Sequence, residues 1–288
     1  MFRKTRVRHS SAGSLASIGL CCLGLFGLSA AQAGSPLLMG VFPYLDASAL
    51  AQLHRPLQQH LAESTATPVR MVSAPDFSTF IERTGTARYD ILATAPHLGR
   101  RAEKEAGYQW LGLTQKPIHA VFLTTEGNGI SNIRDLEGKT LALPPESAIV
   151  HHLARSELKR HGLVPGRDIR LKAVLSHNNA LKLLLLGLAD AAAIADTVEE
   201  GQAAKNKNSW LRIGQTEGVP GVALMVHPRV PVETRATLRR ALFAFSSSAQ
   251  GKRYFDRTQL HGVRKPEPAD MLRLDEYLAA MAAAPRAD

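Results

Sequence analysis

Residues 168–196, DIRLKAVLSHNNALKLLLLGLADAAAIAD, predict the fold of this chain. An apolar strand is followed by a helical segment that begins at Ser176, a good N-cap residue, and a second apolar strand comes after it. Two strands joined through a helix form a parallel pair with the helix on one face. The same alternation recurs along the chain, so the sequence predicts an α/β fold with mostly parallel sheets covered by helices.

The alternation is seen in five further apolar strands, each followed by a polar or proline turn: LLMGVF (37–42), VRMVS (69–73), YDILAT (89–94), AVFLTT (120–125) and KTLAL (139–143). After the first strand, leucines at 50, 53, 57 and 61 have helical spacing. After the second, Asp76 is placed to cap a helix that carries Phe77 and Phe80. The chain therefore contains more strand–helix units than one compact sheet can hold.

The N-terminal residues 1–33 are predicted to be a secretion signal. Basic residues at 3, 4, 6 and 8 precede the apolar run LASIGLCCLGLFGLSA and the small-residue site AQA, which ends at Ala33. A membrane anchor is the alternative, but the apolar run is short and rich in glycine and serine. We therefore expect the mature protein to be periplasmic.

Composition excludes several function classes. Both cysteines of the chain, Cys21 and Cys22, lie in the predicted signal, so the mature protein has no disulfide and no cysteine nucleophile. Removal of the signal lowers the net charge from +10 to +6, which biases the mature protein modestly toward anions, without the basic and aromatic runs of nucleic-acid binders. Walker loops, nucleophile elbows and HExxH helices are absent from the sequence.

Candidate binding residues follow the predicted strands, because ligands of open α/β sheets bind beyond the carboxyl ends of the strands. Hydroxyls and imidazoles suit an anion, and carboxylates suit an amine, so the set favours a small oxyanion or zwitterion. The same residue types also cap helices, which is the alternative for each of them. The candidates are Tyr44, Thr94, Pro96, His97, Thr125, Glu146, Ser147, His177, Asn178 and Asp196.

Two of these candidates carry a specific expectation. His177 follows Ser176 in the first turn of a predicted helix, where a bound anion would favour the imidazolium form. Glu146 lies at the predicted start of another helix, where it would repel a dianion or pair with an amine. A zinc ion held by His97, His177 and Asp196 is the enzymatic alternative.

Four segments resemble the phosphate, phosphite and phosphonate substrate-binding proteins of bacterial ABC importers: GVFPYLDASALAQLHRPLQQHLAE, PDFSTFIERTGTARYDILATAPHLGRRA, GISNIRDLEGKTLAL and SHNNALKLLLLGLADAAAIAD. The resemblance runs from about residue 37 to residue 278. It implies two α/β lobes, joined by two hinge crossovers, that close on ligand like a flytrap (a type II periplasmic binding protein). Lobe 1 is expected to comprise residues 34–119 and 221–288, and lobe 2 residues 120–220.

The resemblance also implies function. It indicates a solute-binding protein with no catalytic residue, no metal and no cofactor, whose partners are a small ligand and a membrane permease. A sensor that docks on a membrane histidine kinase is the alternative, because both roles use the same closure. The family's hydroxyl-rich turn after the GKT strand is replaced here by PPESAIV, in which Ser147 supplies the one hydroxyl.

Overall fold

Two β-sheets organise the chain in the computed structural model, which describes residues 35–203 and 209–283. The predicted signal, residues 1–33, lies outside the described residues. The first sheet has the order β11-β4-β10-β3-β1-β2. Its strands are β1 (Leu37–Val41), β2 (Val69–Val72), β3 (Ile91–Thr94), β4 (Gln109–Thr114), β10 (Ala223–Val226) and β11 (Val263–Arg264).

The second sheet has the order β7-β6-β8-β5-β9. Its strands are β5 (Ala120–Thr124), β6 (Thr140–Leu143), β7 (Arg170–Ala173), β8 (Ala191–Ala195) and β9 (Leu211–Gln215). Both sheets are mixed. In the first, β10 and β11 run against β4. In the second, β5 runs against its neighbours β8 and β9.

Helices cover both sheets. They are α1 (Ala47–Thr65), α2 (Phe77–Gly85), α3 (Pro96–Ala106), α4 (Ile149–Arg160), α5 (His177–Leu185), α6 (Asp196–Ala203), α7 (Val232–Ser247), α8 (Ala249–Thr258) and α9 (Pro268–Ala283), with a short 3₁₀ helix at Ile133–Leu136. None of the helices among the described residues combines the length and the apolar character needed to cross a membrane.

The predicted helix caps are confirmed. Asp76 accepts the backbone N–H of Thr79 at 2.7 Å at the start of α2. Ser176 accepts the N–H of Asn179 at 3.2 Å at the start of α5. Behind these caps, Phe77 and Phe80 are buried in the core of the first sheet.

The segment 168–196 folds as its sequence predicts, with β7 and β8 on either side of β6 and α5 packed on the sheet. All five residues of β8 are buried, and four of them are alanine. Small side chains let α5 approach the strand closely, so Leu181 and Leu184 reach the core beneath it.

Two chain segments, 115–119 and 216–222, pass between the sheets. They lie side by side, because Ile118 and Val219 exchange two backbone hydrogen bonds of 2.9 Å. Gly221 is required there, since a Cβ atom would lie 2.3 Å from the carbonyl oxygen of Thr114. We use lobe 1 and lobe 2 for the parts of the chain that carry the first and second sheets. The predicted lobe boundaries at residues 119 and 220 stay a prediction.

Helix α9 is fixed to α3 on lobe 1. The guanidinium of Arg100 binds both carboxylate oxygens of Asp275, at 2.9 and 2.8 Å, and Lys104 binds the same carboxylate at 2.6 Å. On the other side, Tyr277 packs against the core of lobe 2. The last helix therefore contacts both lobes.

Candidate functional site

A cavity of about 390 Å³ lies between the two lobes. Its walls come from the ends of β1, β3 and β8, from the first turns of α1, α4 and α6, and from the end of α8. Seven of the lining residues represent these elements: Val41, Ala93, Ala195, Ala49, Val150, Thr197 and Leu260. The cavity therefore occupies the crevice that the strand order of an α/β protein predicts for a ligand.

The start of α4 forms part of the cavity wall. Ala148, Ile149 and Val150 line the cavity, and Ala148 is the N-cap residue. Alanine has no side-chain oxygen, and no side-chain hydrogen bond caps this helix. The N–H of Ala148 bonds to the carbonyl of Pro145 at 2.8 Å and that of His151 to the carbonyl of Ala148 at 3.0 Å, so the N–H groups of Ile149 and Val150 are left for a ligand.

His177 is a neutral hydrogen-bond donor in the cavity wall. Its Nδ1 accepts the backbone N–H of Ala195 at 3.1 Å, which places the ring hydrogen on Nε2. Burial lowers the pKa of His177 to about 4. The ring is therefore neutral in this structure, because protonation of Nδ1 would break the bond to Ala195 and charge a buried ring; the imidazolium expected beside a bound anion stays a prediction.

A chain of three aromatic side chains reaches the cavity from the core of lobe 1. The hydroxyl of Tyr254 lies 2.8 Å from Nδ1 of His54, and Nε2 of His54 lies 2.9 Å from the hydroxyl of Tyr44. Tyr44 and His54 line the cavity, whereas Tyr254 is 4% exposed and lies behind them.

The direction of these hydrogen bonds follows from burial. The buried hydroxyl of Tyr254 needs an acceptor for its hydrogen, and Nδ1 of His54 is the partner that it contacts. Burial lowers the pKa of His54 to about 4, so the ring is neutral and its hydrogen is on Nε2. His54 then donates to Tyr44, and the hydroxyl hydrogen of Tyr44 is left for a ligand. Burial also raises the pKa of Tyr44, which keeps the hydroxyl protonated.

His97 connects the lobes next to the cavity. Its Nε2–H donates to the backbone carbonyl of Ser147 at 3.0 Å, which joins the start of α3 to the turn before α4. Burial lowers the pKa of His97 to about 4, against the opposing effect of that hydrogen bond. His97 and Pro96 are buried in lobe 1 and are not among the cavity-lining residues.

Glu146 does not reach the cavity. Helix α4 begins three residues later, at Ile149, and the side chain of Glu146 is 52% exposed, 3.9 Å from Arg155. The neighbouring Ser147 contributes its backbone carbonyl to His97 rather than a hydroxyl to the cavity. The expectation that Glu146 meets the ligand therefore has no support in the geometry.

The remaining candidates also lie away from the cavity lining. Thr94 is fully buried and alternates with Ala93 and Ala95, which do line the cavity, so its side chain points to the other face of the sheet. Asn178 accepts a hydrogen bond from Gln202 at 3.2 Å. Thr125 follows Thr124, which pairs with Ala191 at the start of β8. Because β5 is antiparallel to β8, Thr125 lies at the opposite edge of the sheet from the cavity.

Asp196 is a structural residue at the first crossing segment. Its carboxylate accepts the backbone N–H of His119 at 3.1 Å, contacts Nδ1 of the same ring at 3.1 Å, and lies 3.5 Å from Lys116. His97, His177 and Asp196 thus have separate partners, and the described residues contain no group of three or more acidic, histidine or cysteine side chains placed to hold a metal ion.

His54 is not among the candidate binding residues predicted from the sequence. The signal was present, because His54 lies four residues after Leu50 and three before Leu57, on the buried stripe of α1. A histidine on such a stripe needs hydrogen-bond partners in the core. Leu53, which the spacing placed with the core leucines, lines the cavity instead.

Charged groups are sparse around the cavity. The charged side chains among the lining residues are Glu200, which binds Lys116 at 2.5 Å, and the exposed pair Asp256 and Arg257 at the end of α8. The described lining contains no lysine. Tyr44 and His177, two of the lining donors, are neutral.

Comparison with known proteins gives a family and a fold. Residues 39–271 match the family model described as "ABC transporter, phosphonate, periplasmic substrate-binding protein". The structure is similar to PhnD1 of Prochlorococcus marinus in complex with methylphosphonate, at 16% identity and TM-score 0.75, covering 86% of this chain and 98% of that one. It is also similar to the binding component of a phosphonate ABC transporter from Pseudomonas aeruginosa, at 14% identity and TM-score 0.75, covering 88% of this chain and 90% of that one.

A third similar structure is a protein of Xanthomonas citri bound to ATP, at 20% identity and TM-score 0.66, covering 86% of this chain and 97% of that one. These likenesses confirm the predicted two-lobed α/β fold.

Proposed function

Because the chain belongs to the family of periplasmic substrate-binding proteins of phosphonate ABC transporters, we propose that it binds the oxyanion end of a phosphonate in the cavity between its lobes. The observation that carries the proposal is the uncapped start of α4 in the cavity wall, together with Tyr44 and His177 in the same cavity. Backbone N–H groups at a helix start, a hydroxyl and an imidazole N–H are donors for an oxyanion.

The charge state of the bound ligand follows from these donors. A dianion buried without a cation carries a large desolvation cost, whereas a monoanion carries a smaller one. The described lining offers no lysine, and its one arginine, Arg257, is exposed. The site therefore favours the singly charged form of a phosphonate.

The proposal extends to location and partners. Cleavage after Ala33 would release the mature protein into the periplasm, where the family acts. The ligand-bound protein would then deliver its ligand to a membrane permease without chemical change. Closure of the lobes would bend the crossing segments 115–119 and 216–222, which carry the connection between the sheets.

The Xanthomonas citri neighbour bound to ATP bears on ligand size. A fold of this kind holds ligands much larger than methylphosphonate, so the fold does not restrict this chain to small ligands.

Isothermal titration calorimetry with alkyl phosphonates tests the proposal, and ³¹P NMR of the same samples tests the absence of turnover. The decisive variant is Ile149→Pro. Proline is favoured at the first position of a helix, and the extended backbone of Ala148 (φ −86°, ψ 136°) suits a following proline, so the fold should be retained.

The substitution Ile149→Pro removes one donor from the helix start. A hydrogen bond to a charged group contributes about 1.5–3 kcal/mol, so we expect affinity to fall roughly 10- to 100-fold below that of Ile149→Ala, which keeps the N–H. Equal affinities of the two variants would place the oxyanion elsewhere. Failure of every phosphonate to bind would refute the function.

A further inference from the structure

We infer that the ligand is a phosphonate with a hydrocarbon substituent, whose oxyanion end lies at the start of α4 and whose hydrocarbon lies along α1 and the end of α8. The inference rests on the proposed function and adds the class of substrate. It depends on the volume of the cavity, the chemistry of its walls and the partners of its carboxylates.

The cavity is too large for methylphosphonate. A water molecule occupies about 30 Å³ in the liquid, so 390 Å³ corresponds to roughly a dozen water-sized groups. Methylphosphonate, with one carbon beside its PO₃ group, would fill less than half of that space. A ligand that excludes the remaining water carries a substituent of several more non-hydrogen atoms.

Apolar side chains form much of the wall of this additional space, although α1 and the end of α8 also contribute Gln52, Thr258 and Gln259. In lobe 1, Phe42 stacks on Tyr44 with ring centroids 4.7 Å apart, and Phe77 meets Phe42 edge-on at 6.1 Å. Leu53 of α1 and Leu260 after α8 also line the cavity. A hydrocarbon substituent removes these side chains from water, whereas a small ligand leaves them exposed to water.

The carboxylates decide between a hydrocarbon and an amine. An aminoalkyl phosphonate needs a carboxylate partner for its ammonium group. Glu146 is exposed beside Arg155, Asp196 is bound by His119 and Lys116, and Glu200 is bound by Lys116. Asp256 is exposed at the end of α8. Asp256 is thus the one carboxylate of the described lining without an ion pair, and at an exposed site its pairing with an ammonium group contributes little.

Calorimetry with methyl-, propyl-, hexyl- and 2-aminoethylphosphonate tests the inference. Each methylene buried should raise the affinity about fourfold, and the heat-capacity change of binding should become more negative with chain length. We expect 2-aminoethylphosphonate to bind more weakly than propylphosphonate. Equal affinities for the methyl and hexyl compounds, or tighter binding of the amine, would overturn the inference while leaving the proposed function intact.

A pair of variants on α1 tests where the hydrocarbon lies. Ala49 lines the cavity, whereas Ala47 on the same helix is exposed. Ala49→Leu should reduce the affinity for hexylphosphonate at least tenfold and reduce that for methylphosphonate far less. Ala47→Leu, the matched control, should change neither. If Ala49→Leu leaves hexylphosphonate binding unchanged, the proposed path along α1 is wrong.

Discussion

Replacing Tyr44 with phenylalanine removes the hydroxyl that His54 prepares as a donor. In the structure this hydroxyl accepts from His54 at 2.9 Å and keeps its own hydrogen for the ligand. A hydrogen bond to a charged group contributes about 1.5–3 kcal/mol, so we expect Tyr44→Phe to weaken phosphonate binding roughly 10- to 100-fold. The substitution also leaves Nε2–H of His54 unpaired, which should lower the free energy of unfolding by about 1–3 kcal/mol.

Tyr254 should affect binding through Tyr44 alone. Its hydroxyl holds His54 in the tautomer that donates to Tyr44, and it is too deeply buried to touch a ligand. Tyr254→Phe removes the hydrogen bond that fixes the tautomer of His54. Because this is about one neutral hydrogen bond, we expect a decrease in ligand affinity of roughly 2- to 10-fold. In the Tyr44→Phe background the same change should leave affinity unaltered, because no hydroxyl remains to be oriented.

The assay is calorimetry on the four proteins of this double-mutant cycle, with thermal unfolding recorded for each. Tyr108→Phe serves as the matched control, since the hydroxyl of Tyr108 bonds to the carbonyl of Tyr89 at 2.7 Å away from the cavity. ¹⁵N NMR of His54 reports its tautomer directly. Additive effects of the two substitutions on affinity, or hydrogen on Nδ1 in the wild-type protein, would refute the argument.

Three further predictions concern stability and charge. The pKa values of His54, His97 and His177 are lowered to about 4, so the unfolded chain binds protons more readily than the folded protein does. The free energy of unfolding should therefore be full above pH 6.5 and fall as the pH drops toward 4, by up to about 1.4 kcal/mol per pH unit for each ring. A decreasing melting temperature over this range would show the effect. Glu146→Gln should leave phosphonate affinity within twofold by calorimetry, because its carboxylate is exposed; a larger change would place it at the ligand. Asp196→Ala should lower the unfolding free energy by about 1–3 kcal/mol in urea titrations, since His119 loses its acceptor; an unchanged midpoint would contradict that role.

The fold could be read from the sequence where side chains repeat with a clear period. The apolar runs of β1, β6 and β8 and the caps Asp76 and Ser176 are local features, and the structure confirms them. The central strand β10 is not among the strands predicted from the sequence, because four residues are too few to show a pattern of their own. Its place between β3 and β4 depends on contacts with residues more than a hundred positions away.

The candidate site was harder to read, because it depends on strand direction and helix start. A strand looks alike in sequence whether it is parallel or antiparallel, so Thr125 was placed at the wrong edge of its sheet. The start of α4 was placed at Glu146, but the turn in which Ala148 donates to the carbonyl of Pro145 delays the helix to Ile149. The conformation of residues 146–148 therefore decides whether a carboxylate or unpaired N–H groups meet the ligand.

The position of β10 also bears on how the protein is made and exported. The first four strands of lobe 1 are complete by residue 114, yet β10, which joins β3 to β4, begins at residue 223. Because a chain emerges from its N-terminus, the first sheet stays open until about three quarters of the protein has been synthesised. Pairing across such a sequence separation is slow. The first sheet is thus incomplete for most of synthesis, which suits a member of a periplasmic family.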